Sequence, residues 1–269
     1  MGGETLGLQL RLLGTATSQG VPVIGCHCET CRSRDPRDHR LRTSAVLLAG
    51  AARLAVDAGP DFRTQMLRAG VERLDGILLT HEHNDHTAGL DDVRPFCFMQ
   101  GIDMPVYCLP RVADELKERF AYTFSDYPGV PRLDLREVAF GDRLAFAGYE
   151  LELLRVEHGR LPIVGFRLGD LAYLTDVKIL PPATLTALAG IRTLVISCLN
   201  RRGTHSHLSV EEMLAYADRT GAERTVLIHM SHRVGPHAEF QASLPDHVEV
   251  GYDGMVLEVE ARQRAGAGS

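Results

Sequence analysis

The sequence contains no apolar run approaching the roughly 18–20 residues that a helix needs to cross a bilayer, so no membrane-spanning segment is expected. Its start, Met1 to Leu8, lacks the basic stretch and following apolar stretch of a secretory leader, which points to a cytoplasmic protein. No internal Pro/Gly/Ser-rich linker and no fixed-period repeat interrupt it, so one domain is expected over 1–262, with a disordered tail at 263–269. Basic charge is not in excess either. Lys and Arg number 29 against 35 Asp and Glu, a net charge of −6, whereas nucleic-acid binding wants a basic stripe. What remains is a chain of 269 residues, 45% hydrophobic and 24% charged. Such a chain can bury about three quarters of its extended surface without disulfide staples.

Leu6, Leu8, Leu10 and Leu12 alternate with small or polar residues, the period-2 pattern of a half-buried strand. A turn-rich loop over 14–42 follows. Ala45–Leu48 and Leu54–Val56 read as a hairpin across Gly50, and Pro60 suits the first turn of a helix that runs to Ala69 and stops at Gly70. Ile77-Leu78-Leu79 is a short strand, while Asp91–Met99 and Arg111–Tyr122 have helical character. Strand-like runs with Gly turns fill Arg143–Thr175. Helix (Pro182–Leu188), strand (Leu194–Ser197), helix (Val210–Ala217) and strand (Val226–Ile228) then alternate, the second helix opened by a Ser209/Glu212 capping box. Two runs of strands, each passing into helix–strand alternation, predict an α/β fold of two mixed sheets packed face to face with helices outside.

Histidine and cysteine are unevenly placed. Cys26-His27-Cys28-Glu29-Thr30-Cys31 has C-x-C-x-x-C spacing, which in a cytosolic protein reads as metal binding rather than disulfides. Three thiolates need a fourth ligand to close a tetrahedral zinc site, and His232, three residues after His229, is the candidate. His27 is read as a bystander, because its close Cys neighbours leave it little room to reach the same ion. Cys97, Cys108 and Cys198 sit in apolar stretches and read as core residues. The most informative segment is Thr80-His81-Glu82-His83-Asn84-Asp85-His86. A chain leaving a strand points alternate side chains the same way, so His81 and His83 can meet one metal ion, and a turn into a helix then swings Asp85 and His86 toward a neighbouring site. Imidazole nitrogen and carboxylate oxygen suit zinc, and also manganese or iron.

This H-x-H-x-D-H motif resembles the signature of the metallo-β-lactamase superfamily, which implies a four-layer αβ/βα sandwich. The resemblance implies three further ligands in a fixed order. A His after a strand is matched by His158, an Asp that bridges the metals by Asp176 after Leu171–Leu174, and a late His by His229 after Leu227-Ile228. Metal one would then be held by His81, His83 and His158, and metal two by Asp85, His86 and His229, with Asp176 between them and Asp85 counted among the catalytic residues. Two cations roughly 3.5–4 Å apart acidify a shared water to hydroxide for in-line attack on a phosphoryl group. The implied cofactors are two divalent catalytic metals (zinc or manganese, with iron also suited) and one structural zinc.

The three-Cys loop, H-x-H-x-D-H and His229-Met230-Ser231-His232 together are similar, over about 14–254, to the phosphoribosyl cyclic phosphodiesterases of bacterial phosphonate breakdown. Pyrroloquinoline quinone biosynthesis protein B is a related branch. The resemblance implies a metal-dependent phosphodiesterase that opens a small cyclic phosphodiester. That family carries a functional His in an Asn-His-Cys-Asp-Leu context. In Thr204-His205-Ser206-His207-Leu208, His205 matches it and His207 replaces the Asp. Both are candidates to protonate the leaving group, with His205 preferred. Loops Phe96–Gly101 and Phe124–Val130 are expected to line the substrate pocket. The expected partner is a small-molecule phosphodiester and not a membrane, and a homodimer is compatible with this reading. Nucleic acid is disfavoured, because the RNA-processing members carry a Gly/Pro- and Lys-rich arm that has no counterpart in this sequence. An accessory carrier that keeps the zinc loop without hydrolysis is the remaining alternative, and Asp85 and Asp176 argue against it.

Overall fold

The computed structural model describes residues 7–125 and 128–263. Of the expected disordered tail only Gln263 is described, its amide donating to Tyr149 Oη at 3.1 Å, and the rest lies outside the described residues. The alternating leucines form β1 (Gln9–Gly14), with Leu10 and Leu12 fully buried. After a loop holding the single helical turn α1 (Glu29–Arg32), β2 (Ser44–Ala49) pairs antiparallel with β1. A turn at Gly50, whose φ of 55° suits glycine, leads into β3 (Ala52–Val56). Helix α2 (Phe62–Ala69) ends on Gly70 in the left-handed conformation and leads to β4 (Gly76–Leu78). Helices α3 (Asn84–Thr87) and α4 (Arg94–Gln100) precede β5 (Met104–Cys108), and α5 (Pro110–Arg119) precedes β6 (Leu133–Glu137). Strands β3 to β6 run parallel.

An antiparallel meander follows: β7 (Arg143–Phe146), β8 (Tyr149–His158), β9 (Leu161–Leu168) and β10 (Leu171–Leu174). Helix α6 (Pro182–Ala187), β11 (Thr193–Ser197), α7 (Val210–Thr220), β12 (Arg224–Ile228), α8 (His237–Ala242) and β13 (Val248–Val250) then alternate, the strands parallel to β10. Helix α7 starts on the Ser209/Glu212 capping box. A last strand, β14 (Val256–Glu258), returns to β1. The two sheets have the orders β14-β1-β2-β3-β4-β5-β6 and β13-β12-β11-β10-β9-β8-β7.

Side-chain alternation makes the layers. Val195 in β11 and Val226 and Ile228 in β12 join Leu47, Leu54, Phe166 and Tyr173 in the core between the sheets. Leu194, Ile196 and Leu227 point the other way and pack with Met213, Ala217 and Phe240 of the outer helices. Strands buried on both faces are what a sheet sandwiched between layers requires, and each fully buried Leu, Ile or Val contributes about 1.5–3 kcal/mol. This is the four-layer α/β sandwich that the motif resemblance implies. Cys97, Cys108 and Cys198 are buried in it. Four strands are not announced by the sequence pattern. Pro105 interrupts β5, β6 and β14 carry charges as edge strands, and β13 is only three residues long.

Among the described residues no helix is long and apolar enough to cross a membrane. The parallel strands of both sheets bring their carboxyl ends to one edge of the sandwich, the usual place for a ligand crevice in α/β folds. Asp57 follows β3, Thr80 to His86 follow β4, Asp176 follows β10 and His229 follows β12.

Candidate metal centres

Two glycines bring the turn after β3 against the His81–His86 loop. A Cβ at Gly59 would lie 2.0 Å from the Asp85 carbonyl oxygen, and one at Gly89 would lie 2.0 Å from the Gly59 carbonyl oxygen. Only glycine permits that approach. His81 Nε2 and His83 Nδ1 then stand 3.0 Å apart, and with His158 they form a triad whose ligand atoms all lie within 4.8 Å of one another. Asp85, His86 and His229 form a second triad, with Asp85 Oδ2 at 3.3 Å from His86 Nε2 and 3.5 Å from His229 Nε2. Asp176 adjoins both. Its Oδ2 is 3.2 Å from His86 Nε2 and its Oδ1 is 3.1 Å from His229 Nε2, and it also groups with His81.

In three of the rings the outward-facing nitrogen is held by a second layer of groups. His86 Nδ1 donates to Asp57 Oδ2 at 2.7 Å, and His158 Nδ1 donates to the Ser206 carbonyl at 2.9 Å. His81 Nδ1 lies 3.0 Å from Thr80 Oγ1, which in turn donates to Asp57. Fixing one nitrogen this way aims the other at a shared point. Asp57, fully buried and bonded also by the Thr80 amide at 2.8 Å, is the functional residue that the sequence reading passed over. Its only signal was an Asp closing an apolar strand before Ala-Gly-Pro. Three of the four non-glycine residues with positive φ among the described residues belong to this site: Asp57 (63°), Asp176 (51°) and His229 (57°). Such strain at strand ends persists where surrounding contacts over-determine it.

Burial pushes the His81 and His83 imidazoles below their usual range. Burial acts the same way on His86, but the carboxylates of Asp57 and Asp176 outweigh it and hold that ring well above the usual value. Asp176 is buried and Asp85 half-buried, yet His229 and His86 keep both carboxyls well below the ordinary carboxylate range. His86 Nε2 and His229 Nε2 nevertheless lack a hydrogen bond, although carboxylate oxygens lie 3.1–3.5 Å away. Each of the two nitrogens stands within 3.5 Å of both an Asp85 and an Asp176 oxygen. Ligands about 2.05 Å from a tetrahedral ion stand about 3.3 Å apart, so this donor set fits divalent cations.

The Cys loop makes a separate cluster. His232 Nδ1 lies 3.3 Å from Cys26 Sγ, 3.3 Å from Cys28 Sγ and 3.5 Å from Cys31 Sγ. Sulfur and nitrogen at about 2.3 and 2.05 Å from one tetrahedral ion would be about 3.6 Å apart, so these four also fit a cation. The Cys31 amide and His232 lower the Cys28 thiol to about 6 against the opposing pull of burial, whereas burial raises Cys31 to about 11. His27 is exposed and outside the ligand group. The loop is rooted by buried Arg40, which donates to Thr15 Oγ1 at 2.9 Å and to the Gly251 carbonyl, and whose Nη2 stands 3.0 Å from His237 Nδ1.

Of the two candidates His205 and His207, it is His207 whose ring the structure places beside the triads. Thr204 Oγ1 accepts from the His207 amide at 3.1 Å, and the Thr204 amide donates to the His207 carbonyl at 3.1 Å. That tight turn sends His207 inward. Its ring centroid is 4.6 Å from that of His158 and 5.3 Å from that of His229, and its Nδ1 is 3.7 Å from Asp176 Oδ1. Burial pulls its pKa down to about 3, so the ring is neutral at pH 7. The side chain of His205 faces solvent. Of the two loops expected to line a substrate pocket, Phe98, Gly101 and Pro128–Val130 border a common cleft of about 240 Å³ that no residue of the metal centre lines, while Asp126 and Tyr127 lie outside the described residues.

Residues 52–230 match the family model of the beta-lactamase superfamily domain. The chain is 35% identical to a diphosphatase of the PhnP family whose crystal structure superposes with a TM-score of 0.89, covering 95% of this chain and 98% of that one. Ribonuclease Z from a Mycobacterium species is 27% identical over 94% of this chain and 96% of its own length. An octanoyltransferase from Porphyromonas gingivalis is 43% identical over 93% of this chain, and the chain spans about half (51%) of that relative's length.

Proposed function

The chain belongs to the metallo-β-lactamase superfamily of hydrolases, and from that premise we propose that it is a metal-dependent phosphodiesterase for a small, cyclic phosphodiester of the phosphoribosyl type. One observation carries the reading: Asp176 adjoins two ligand triads whose nitrogen and oxygen atoms already converge. His81, His83 and His158 would hold one divalent metal, and Asp85, His86 and His229 a second, with Asp176 reaching both. Cations bound there would acidify a water for attack and neutralise charge on phosphoryl oxygens. His207, neutral and packed between His158 and His229, offers an N–H to a phosphoryl or leaving-group oxygen. Exposed His83 marks the side from which substrate enters. Cys26, Cys28, Cys31 and His232 would hold a structural zinc that leaves no open position.

A second reading, cleavage of a diphosphate, is favoured by the diphosphatase relative and uses the same residues. Turnover of ribose 1,2-cyclic phosphate, cyclic nucleotides, an aryl phosphodiester, a dinucleotide diphosphate and a precursor transfer RNA separates the readings. The expected result is turnover of a small phosphodiester, lost on chelation and regained with zinc or manganese. Turnover of the diphosphate alone would favour the second reading, and cleavage of the RNA alone would favour the ribonuclease Z-like one. No turnover across the panel would retire all three.

A further inference from the structure

We propose that the positions of the His81–Thr87 loop that hold no metal are docking posts for α5, and that Arg119 at the end of that helix is a positioning residue for the two-metal centre. Arg119 Nη1 donates to the Glu82 carbonyl at 2.8 Å, and its Nη2 donates to Asn84 Oδ1 at 2.6 Å and to Thr87 Oγ1 at 3.0 Å. From the start of the same helix, Arg111 donates to both Glu82 carboxylate oxygens at 3.2 and 3.1 Å. Thr87 Oγ1 donates back to the His83 carbonyl at 2.9 Å. Ligand and post therefore interleave along the chain: 81, 83, 85 and 86 point to the centre, while 82, 84 and 87 are gripped from outside.

The physical need for such a grip follows from what lies on the inner side. Four polar ligands converge there, and three buried ring nitrogens among the centre's ligands make no hydrogen bond, so hydrogen bonds from outside add to the hold that the Gly59 turn and Asp57 give the loop. Helix α3 within it is a single turn. One guanidinium ties three points in a fixed planar fork, a geometry that the rotatable ammonium of a lysine does not impose. Arg119 is itself steadied against the Phe120 ring, 5.5 Å from its centroid. Its hydrogen bonds go to Glu82, Asn84 and Thr87, none of them a ligand, so it acts by holding the backbone that presents the ligands. This inference rests on the two-metal reading above, but it is read out in metal affinity and not in turnover.

Competition titration with zinc and with manganese ions, followed by elemental analysis, tests it on the full chain. Arg119→Ala should weaken binding at the Asp176 centre about 10- to 100-fold, while one zinc per chain stays in the Cys loop. Arg119→Lys should recover part of the loss, and Asn84→Ala should show a smaller weakening. Excess metal should return the kcat of Arg119→Ala to within about threefold of the parent. Unchanged metal affinity in Arg119→Ala would overturn the proposal, as would loss of the Cys-loop zinc alongside it, because the arginine would then be holding the fold as a whole. A parent protein that binds metal at the centre yet hydrolyses nothing would fail the proposed function alone. A parent that takes up no metal there would overturn both.

Discussion

The Cys-loop cluster draws three ligands from the six residues Cys26 to Cys31 and a fourth from His232, whereas the cluster around Asp176 collects its ligands from positions 81 to 229. The first is a local device. Three sulfurs and one nitrogen complete a tetrahedron by themselves, and a polar network rooted in Arg40 fixes where the loop stands. The second exists only because both sheets end their parallel strands at the same edge, and outer groups aim three of its rings: Thr80 for His81, Asp57 for His86 and the Ser206 carbonyl for His158. A closed site stabilises and an open one can react. The two histidines three residues apart, His229 and His232, belong to one cluster each, so β12 and the short turn after it join the two clusters.

The contrast can be broken at four places. Removing the shared carboxylate with Asp176→Ala should lower kcat at least about 10³-fold while the Cys-loop zinc stays, as turnover and elemental analysis would report. Activity within tenfold of the parent would mean that the two triads work independently. Next, His207→Ala should cost about 10²-fold in kcat on a substrate with a poor leaving group, against less than about threefold for His205→Ala. Equal effects would remove His207 from its inward role. Cys28→Ser should act mainly on stability, lowering Tm by about 5–10 °C with turnover reduced less than about tenfold. A fall in turnover as deep as that of Asp176→Ala would erase the distinction between the sites.

The smallest effect concerns the root of the Cys loop. Burial, with Arg40 and Arg37 nearby, pulls His237 down to about 4 from the usual 6.5. An unfolded chain takes up this proton near 6.5 and the folded one does not, so the contribution is complete above that pH and is lost as the pH falls toward 4. His237→Gln should flatten this part of the stability profile by roughly 2 kcal/mol between pH 7 and 4.5. Denaturant melts at the two values measure it. Parallel profiles for parent and variant would show that the ring does not titrate across that range.

How much of this was visible in the amino-acid order depends on the reach of each feature. His81, His83, Asp85 and His86 lie within six residues, so the strand-then-turn geometry groups them from spacing alone. His158, Asp176 and His229 are single residues at strand ends, and only the motif resemblance singled them out before the sheets brought them together. Asp57 had no such help, because a lone Asp before Ala-Gly-Pro looks like any turn. The order of His205 and His207 depended on a hydrogen-bonded turn at Thr204, which motif alignment does not contain. Edge strands β6 and β14 were hidden because half of each faces water. The grip of Arg111 and Arg119 joins residues 29 to 37 positions apart and leaves no local pattern at all.

The most direct measurement is anomalous diffraction at the metal edges from crystals of the purified protein. Two ions about 3.5–4 Å apart are expected. One should be bonded to His81, His83 and His158, the other to Asp85, His86 and His229, with Asp176 on both and a third ion among Cys26, Cys28, Cys31 and His232. A single ion at the strand ends, or a pair that does not share Asp176, would contradict the account.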